Sequence, residues 1–138
     1  MFGFANRRKV KKLAAENILA LREQIMPENF KNKITSSEFL SKISSPFCFG
    51  YIMSYSIKRA VRCFGKDEEN TMKVFAYTVH NLFDHNVGSH LLEAYQEMAT
   101  CMDDSYFLGY EAAQNDLFLY EQLGDPCRSL MSFIYGDP

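Results

Sequence analysis

The sequence has no tryptophan, few prolines and no apolar run near the ~20 residues that a membrane-spanning helix requires. Its most apolar stretch, residues 46–57, is interrupted by one glycine and two serines and is followed at once by Lys58 and Arg59. The first residues do not resemble a secretory signal, because their apolar side chains precede the first basic ones rather than follow them. These features predict an unprocessed cytoplasmic protein.

Short motifs that mark common catalytic and nucleotide-binding sites are also missing. The sequence contains no G-x-G-x-x-G, P-loop, G-x-S-x-G or H-E-x-x-H pattern, and no zinc-ribbon spacing of cysteines. The Glu-x-x-His pair that di-iron helical bundles use is absent as well. These absences favour a protein that is not an enzyme, and we expect no cofactor.

The cysteines are few and far apart. None of the four forms a C-x-x-C pair, and a chain of 138 residues can bury a core without disulfides. Scattered cysteines of this kind usually behave as small buried apolar side chains. We therefore predict free, buried thiols at Cys48, Cys63, Cys101 and Cys127.

Apolar residues recur at three- and four-residue steps along nearly the whole sequence, whereas alternation with a period of two is absent. Gly65 and Gly124 are typical helix ends. We expect residues 86–88 to break one helix before Ser89 begins the next, and residues 125–126 to cap a last short helix that carries Cys127. The pattern predicts an all-α fold: one domain over 1–138, an irregular (orthogonal) bundle of six or seven helices around a buried central helix near 46–64, with 1–7 as a flexible tip.

Charge is divided unevenly along the chain, although its net value is only −2. Residues 1–69 hold 13 of the 15 Lys and Arg and 7 of the 17 Asp and Glu, whereas residues 70–138 hold 2 and 10. An acidic surface with few local cations suits a basic partner. We predict a non-enzymatic protein-interaction module, of the inhibitor or immunity type, or alternatively a homodimer. The candidate contacts are Glu93, Glu97, Asp103, Asp104, Tyr106 and Glu111.

A basic cluster near the N-terminus supports an alternative function. Positive charge at the start of a helix opposes the helix dipole, so the cluster breaks a local rule and invites a functional explanation. Such a segment can lie on an anionic membrane or bind nucleic acid phosphates. The alternative is a peripheral membrane or nucleic-acid adaptor whose basic surface is Arg7, Arg8, Lys9, Lys11 and Lys12.

All three histidines of the sequence lie within one short region, which supports a second alternative. Histidine and carboxylate side chains are ligands for zinc and iron. The histidines are spaced five residues apart, so they cannot share one helical face, and only a turn between two helices would bring them together. The alternative is a small protein with a divalent metal bound by His80, Asp84, His85, His90 and Glu93.

Overall fold

A computed structural model describes residues 2–27, 34–101 and 103–136, with side chains from Arg7 onward within those ranges. In these ranges the chain forms seven helices and no strand, which confirms the predicted all-α bundle. The helices are α1 (Phe2–Ile25), α2 (Ser36–Ile43), α3 (Pro46–Phe64), α4 (Glu68–Leu82), α5 (His85–Met98), α6 (Asp104–Leu123) and α7 (Ser129–Tyr135).

Most helix ends follow from side chains next to them in the sequence. Ser45, Asp67 and Asp103 precede α3, α4 and α6, and each accepts a hydrogen bond from a backbone amide of the first turn. Gly65 and Gly124 end α3 and α6 with φ of 64° and 72°, a conformation that strains residues carrying a Cβ. These boundaries were therefore readable from local chemistry.

The predicted break at 86–88 is wrong. Asp84 is the N-cap of α5 and accepts a hydrogen bond from the Val87 amide at 3.0 Å, so residues 86–88 belong to the first turn of that helix. A Cβ at Gly88 would overlap the backbone carbonyl of His80 in α4. The glycine therefore allows two helices to approach closely, and does not mark a turn.

The predicted start of the last helix is also wrong. α7 begins at Ser129 rather than near Cys127, and its N-cap residue, Arg128, makes no side-chain capping bond. Residues 125–126 lie outside the helix. Side chains from distant helices bind the first amides of α7 instead, as described with the site below.

α1 covers most of the segment that was predicted to be a flexible tip. The helix begins at Phe2, so residues 2–7 have a helical backbone, and Met1 lies outside the described residues. Helical geometry does not report motion, and the flexibility of this segment stays a prediction.

The predicted central helix is confirmed. In α3 the nine consecutive residues Cys48–Ser56 are buried, together with Ala60. Its most extensive contact is with α6, and glycine makes this contact close. A Cβ at Gly50 of α3 would overlap the carbonyl of Tyr106, and a Cβ at Gly109 of α6 would overlap the carbonyl of Phe47. The backbones of the two helices therefore meet at a crossing that admits no larger residue.

Apolar side chains form two clusters along the contact between α1 and α3. The smaller cluster joins α1, α3 and α4, and it includes Leu13 and Ala60. The larger cluster includes Leu21 and Ile52 and extends to all the other helices. On α1 the buried members Leu13 and Leu21 are eight residues apart, about two turns, whereas on α3 the larger cluster reaches Tyr55, five residues from Ala60.

Two buried polar residues, Asn17 of α1 and Ser56 of α3, lie between the two clusters along their helices. Gln24 bonds to Tyr51 and Glu16 pairs with Arg59, so α1 and α3 run antiparallel in a register that places Asn17 level with Lys58, within one turn of Ser56. Both residues have 0% exposure, and neither side chain has a hydrogen-bond partner among the described residues. Burying a polar group without a hydrogen-bond partner costs free energy, so Asn17 and Ser56 lower the stability of the bundle.

Candidate functional site

α6 carries large apolar side chains on two opposite sides. Its inward side, including Ala113 and Leu117, is buried against the core. The opposite side, here called the outer face of α6, is exposed to between 41% at Leu119 and 70% at Leu123. Its apolar members are Phe107, Leu108, Phe118, Leu119 and Leu123. An exposed apolar surface of this kind on a folded protein is typical of a binding surface.

Acidic side chains lie on one half of the same face. At about 100° of rotation per residue, Asp104 and Glu111 point to the same side of α6 as Phe107 and Phe118. Within the described parts of the chain, neither carboxylate forms an ion pair. The N-terminal half of the outer face therefore combines apolar side chains with carboxylates. Its C-terminal half combines apolar side chains with side-chain amides.

The structure exposes the acids that the sequence analysis selected. Glu93 and Glu97 are exposed on α5, and Asp104 and Glu111 on α6. Asp103 is also exposed, but its carboxylate accepts the Tyr106 amide at 3.1 Å and so caps α6. Asp103 therefore has a structural role at the start of α6, and the other four acids are exposed on the surface.

Tyr106, which the sequence analysis selected as a contact residue, is buried in the core. Only 6% of it is exposed, and its ring centroid lies 4.9 Å from that of Phe49 in α3. Burial raises the pKa of its phenol. The adjacent Phe107 is the exposed aromatic at this position, 52% accessible. The sequence signal that we overlooked is the presence of large apolar residues on both sides of α6.

The histidines come together only in part. The rings of His80 and His85 lie edge to face with centroids 4.6 Å apart, across the junction of α4 and α5. His90 and Glu93 are exposed, and Asp84 caps α5. Among the described residues, no three His, Cys, Asp or Glu side chains are placed to hold one metal ion. The histidines that could bind a metal are therefore His80 and His85 alone, with no third ligand beside them among the described residues.

The basic cluster of α1 is exposed as the sequence analysis requires. All five of its side chains, Arg7, Arg8, Lys9, Lys11 and Lys12, lie on the surface. None of them has a carboxylate within ion-pair distance in the described residues. Its role in binding stays a prediction, which is developed further below.

A cavity of about 630 Å³ lies between α1, α3, α6 and the segment before α7, and Gln24, one of its lining residues, belongs to a buried polar network. Tyr51 donates its hydroxyl hydrogen to Asp116 Oδ2 at 2.6 Å and accepts a bond from Gln24 Nε2 at 2.9 Å. Burial, followed by the negative charge of Asp116, raises the pKa of Tyr51. The phenol therefore stays protonated and can serve as a donor to the carboxylate.

The same network caps α7 from a distance. Asp116 accepts the Ser129 amide at 3.0 Å and the Ser129 hydroxyl at 2.7 Å. Gln24 Oε1 accepts the amides of Leu130 and Met131 at 3.0 and 3.3 Å. The first three amides of α7 are thus bound by side chains from α6 and α1, which explains how the helix begins without a local cap. This role for the network is structural.

Burial also divides the cysteines. Burial raises the pKa of Cys48 to about 12, and burial together with the nearby Asp116 raises the pKa of Cys127 to about 11. Cys63 and Cys101 are exposed. All four are free, as predicted, but the prediction that all four are buried is wrong.

When the folded protein reacts with Ellman's reagent at about pH 8, we expect two thiols to react quickly and two to react slowly. At this pH, a thiol whose pKa is about 11 is ionised to the reactive thiolate in only about one molecule in a thousand. A Cys127→Ser variant should keep both fast thiols, and a Cys63→Ser variant should lose one. In denaturant, all four should react at similar rates. Equal rates for Cys127 and Cys63 in the folded protein would contradict this assignment.

The observed architecture is an all-α bundle with an exposed apolar and acidic helix face. No helix in the described ranges is both long enough and apolar enough to cross a membrane. Comparison of the chain with protein-family models, curated proteins and solved structures gave no match. The function is therefore argued from the surface of this molecule alone.

Proposed function

We propose that this protein is a non-enzymatic binding module, and that the outer face of α6 binds a protein partner with an apolar stripe flanked by lysine and arginine. Six large apolar side chains are exposed on this 20-residue helix, and the observation that carries the proposal is that five of them lie on its outer face. Leaving this surface in water forfeits the free energy that its burial would supply, about 25 cal/mol per Å² of apolar area. A partner that covers the face recovers it.

Charge complementarity indicates the chemistry of that partner. Asp104 and Glu111 lie on the outer face without ion pairs in the described structure, and Asp103 adds a third acid at the same end of α6. Cations on a partner would meet these carboxylates, speed association and fix the orientation in which the partner binds. An inhibitor or immunity-type protein that blocks a basic effector is one form of this function.

The geometry of the face suits an amphipathic helix as the binding element. Leu108, Asn115 and Leu119 follow one another at steps of seven and four residues, so they form a continuous line along α6. A second helix that places its own apolar side chains along this line buries both stripes. We therefore expect a helical binding element in the partner.

A pair of amphipathic peptides as long as α6 tests this proposal. One has a leucine stripe flanked by lysine, and the other has the same stripe flanked by glutamate. We expect the lysine peptide to bind, by fluorescence anisotropy, and the glutamate peptide to bind much more weakly. Removing two apolar contacts in a Leu108→Gln, Phe118→Gln double variant should weaken binding by at least about tenfold, since each buried side chain contributes about 1.5 to 3 kcal/mol.

Leu19→Gln is the matched control, because Leu19 is 68% exposed on α1 and lies away from the outer face. It should bind the lysine peptide as the wild type does. Equal affinity for both peptides, or equal losses in the control and the double variant, would refute the proposal. A dimer seen by sedimentation and abolished by the double variant would assign the face to a second copy of the chain, and would likewise overturn the basic partner.

A further inference from the structure

The fold gathers most of the basic residues at one end of the bundle. The smaller apolar cluster holds the N-terminal part of α1, the C-terminal part of α3 and the N-terminal part of α4 together. In the sequence, segments 7–16 and 58–73 contain ten Lys and Arg against four Asp and Glu. The basic half of the chain therefore becomes a basic end of the molecule.

Three of the four acids at this end are already engaged. Glu16 pairs with Arg59, and Glu69 with Lys73. The carboxylate of Asp67 accepts the backbone amide and the side-chain amide of Asn70. The α1 cations have no such partners in the described residues, so their charge is left for a ligand.

A groove of about 1090 Å³ runs between α1 and α4 and reaches α5. Arg7 and Lys11 line it from α1, and Tyr77 and His80 line it from α4. Asp67, Glu69 and Lys73 also line it, but Asp67 accepts hydrogen bonds from Asn70, and Glu69 and Lys73 pair with each other. The Lys11 Nζ lies 5.8 Å from the centroid of the Tyr77 ring, and this ring is 41% exposed. Cationic side chains and an accessible aromatic ring therefore share one concave surface.

We infer that this groove is a binding site for single-stranded nucleic acid. The two unpaired cations of the groove, Arg7 and Lys11, can bind the phosphates of a strand and release its counterions. Tyr77 offers a ring on which a base can stack, and such stacking tolerates any sequence. Phosphates would meet Arg7 and Lys11 while one base lies on Tyr77. This site is independent of the proposed function of α6.

The shape of the site favours a strand over a membrane. A protein that lies on a bilayer inserts the apolar side of an amphipathic helix into the headgroup region. The groove is instead concave, and its walls include the polar side chains of Asn70 and Asn81. A flexible strand can enter a concavity of this kind, whereas a bilayer surface cannot follow it.

Fluorescence anisotropy with a labelled oligothymidine of about 12 nucleotides, at about 50 mM salt, tests the inference. We expect saturable binding that weakens steeply as salt rises. An Arg7→Glu, Lys11→Glu double variant should lose at least about tenfold in affinity. Tyr77→Ala should lose about fivefold or more, whereas Tyr77→Phe, which keeps the ring, should bind nearly as the wild type does.

The matched control is a Lys42→Glu, Arg128→Glu double variant, which makes the same change of net charge at exposed cations outside the groove. It should retain most of the affinity, and circular dichroism should show that all variants are folded. No binding at low salt would overturn the inference. Equal losses in the two double variants would do the same, because they would reveal attraction by net charge alone. Binding to phosphatidylserine vesicles without binding to the oligonucleotide would assign the basic end to a membrane instead.

Discussion

Replacing Gly50 with alanine is expected to lower the free energy of unfolding by about 3 kcal/mol. In an isolated helix the same change would be favourable by about 1 kcal/mol, because glycine is a poor helix former. The sign reverses here because the new methyl group would overlap the Tyr106 carbonyl and press on the Tyr110 amide. Both are backbone groups of α6, which cannot rotate away as a side chain can. Urea unfolding followed by circular dichroism measures the change.

Gly109→Ala should have a similar effect, because its Cβ would overlap the Phe47 carbonyl on the other side of the same crossing. The double variant should lose less stability than the two single variants lose together, because the first methyl group already moves the helices apart. Asn115→Ala, at an exposed position of α6, is the control and should change stability by no more than about 0.5 kcal/mol. Wild-type stability in Gly50→Ala would mean that α3 and α6 do not meet as closely as described.

The second large effect is expected for Asp116→Ala, which should cost about 3 kcal/mol. The carboxylate accepts hydrogen bonds from the Tyr51 hydroxyl and from the Ser129 amide and hydroxyl. Its removal leaves these partly buried donors without an acceptor and frees the start of α7. We therefore expect faster amide hydrogen exchange at Ser129, measured by NMR, in addition to a lower midpoint of urea unfolding.

Two further variants make this prediction specific. Asp116→Asn keeps one acceptor oxygen and should lose about half as much stability as the alanine variant. Asp125→Ala removes an exposed carboxylate from the nearby loop and should leave both stability and α7 exchange almost unchanged. If the amides of α7 exchanged at the wild-type rate in the Asp116→Ala variant, the hydrogen bonds from Asp116 would not be what stabilises the start of this helix.

Whether a feature could be predicted depended on how far along the chain its stabilising partners lie. Asp67 and Gly65 act on their own helix ends, so the pattern around them was sufficient. The start of α7 depends on Asp116 and on Gln24, which is 106 positions from Leu130 in the sequence. No local pattern encodes such a partner. Gly88 was misread for the same reason, since its role is set by a neighbouring helix.

The candidate site was predictable in its charge but not in its apolar part. Asp104 and Glu111 were evident from composition, and both are exposed. Because α6 carries apolar residues on both sides, their periodicity does not show which side faces the core. The sequence analysis therefore placed Tyr106 on the surface. Gly109 settles the matter, because the side that carries it must face the α3 backbone. Phe107, one residue from Tyr106, is thereby turned to the solvent.

Asn17, buried between the two apolar clusters, favours one alignment of α1 in the bundle. If α1 slid by one turn, Asn17 would take the place of Leu13 or Leu21 in one of these clusters. Its amide would then lie among apolar side chains, so neighbouring alignments have no compensating gain. A single buried asparagine fixes the alignment of coiled coils in the same manner. The unpartnered amide of Asn17 thus lowers stability but favours a single fit of α1 in the bundle, and this fit sets the positions of both the basic end and the α1–α4 groove.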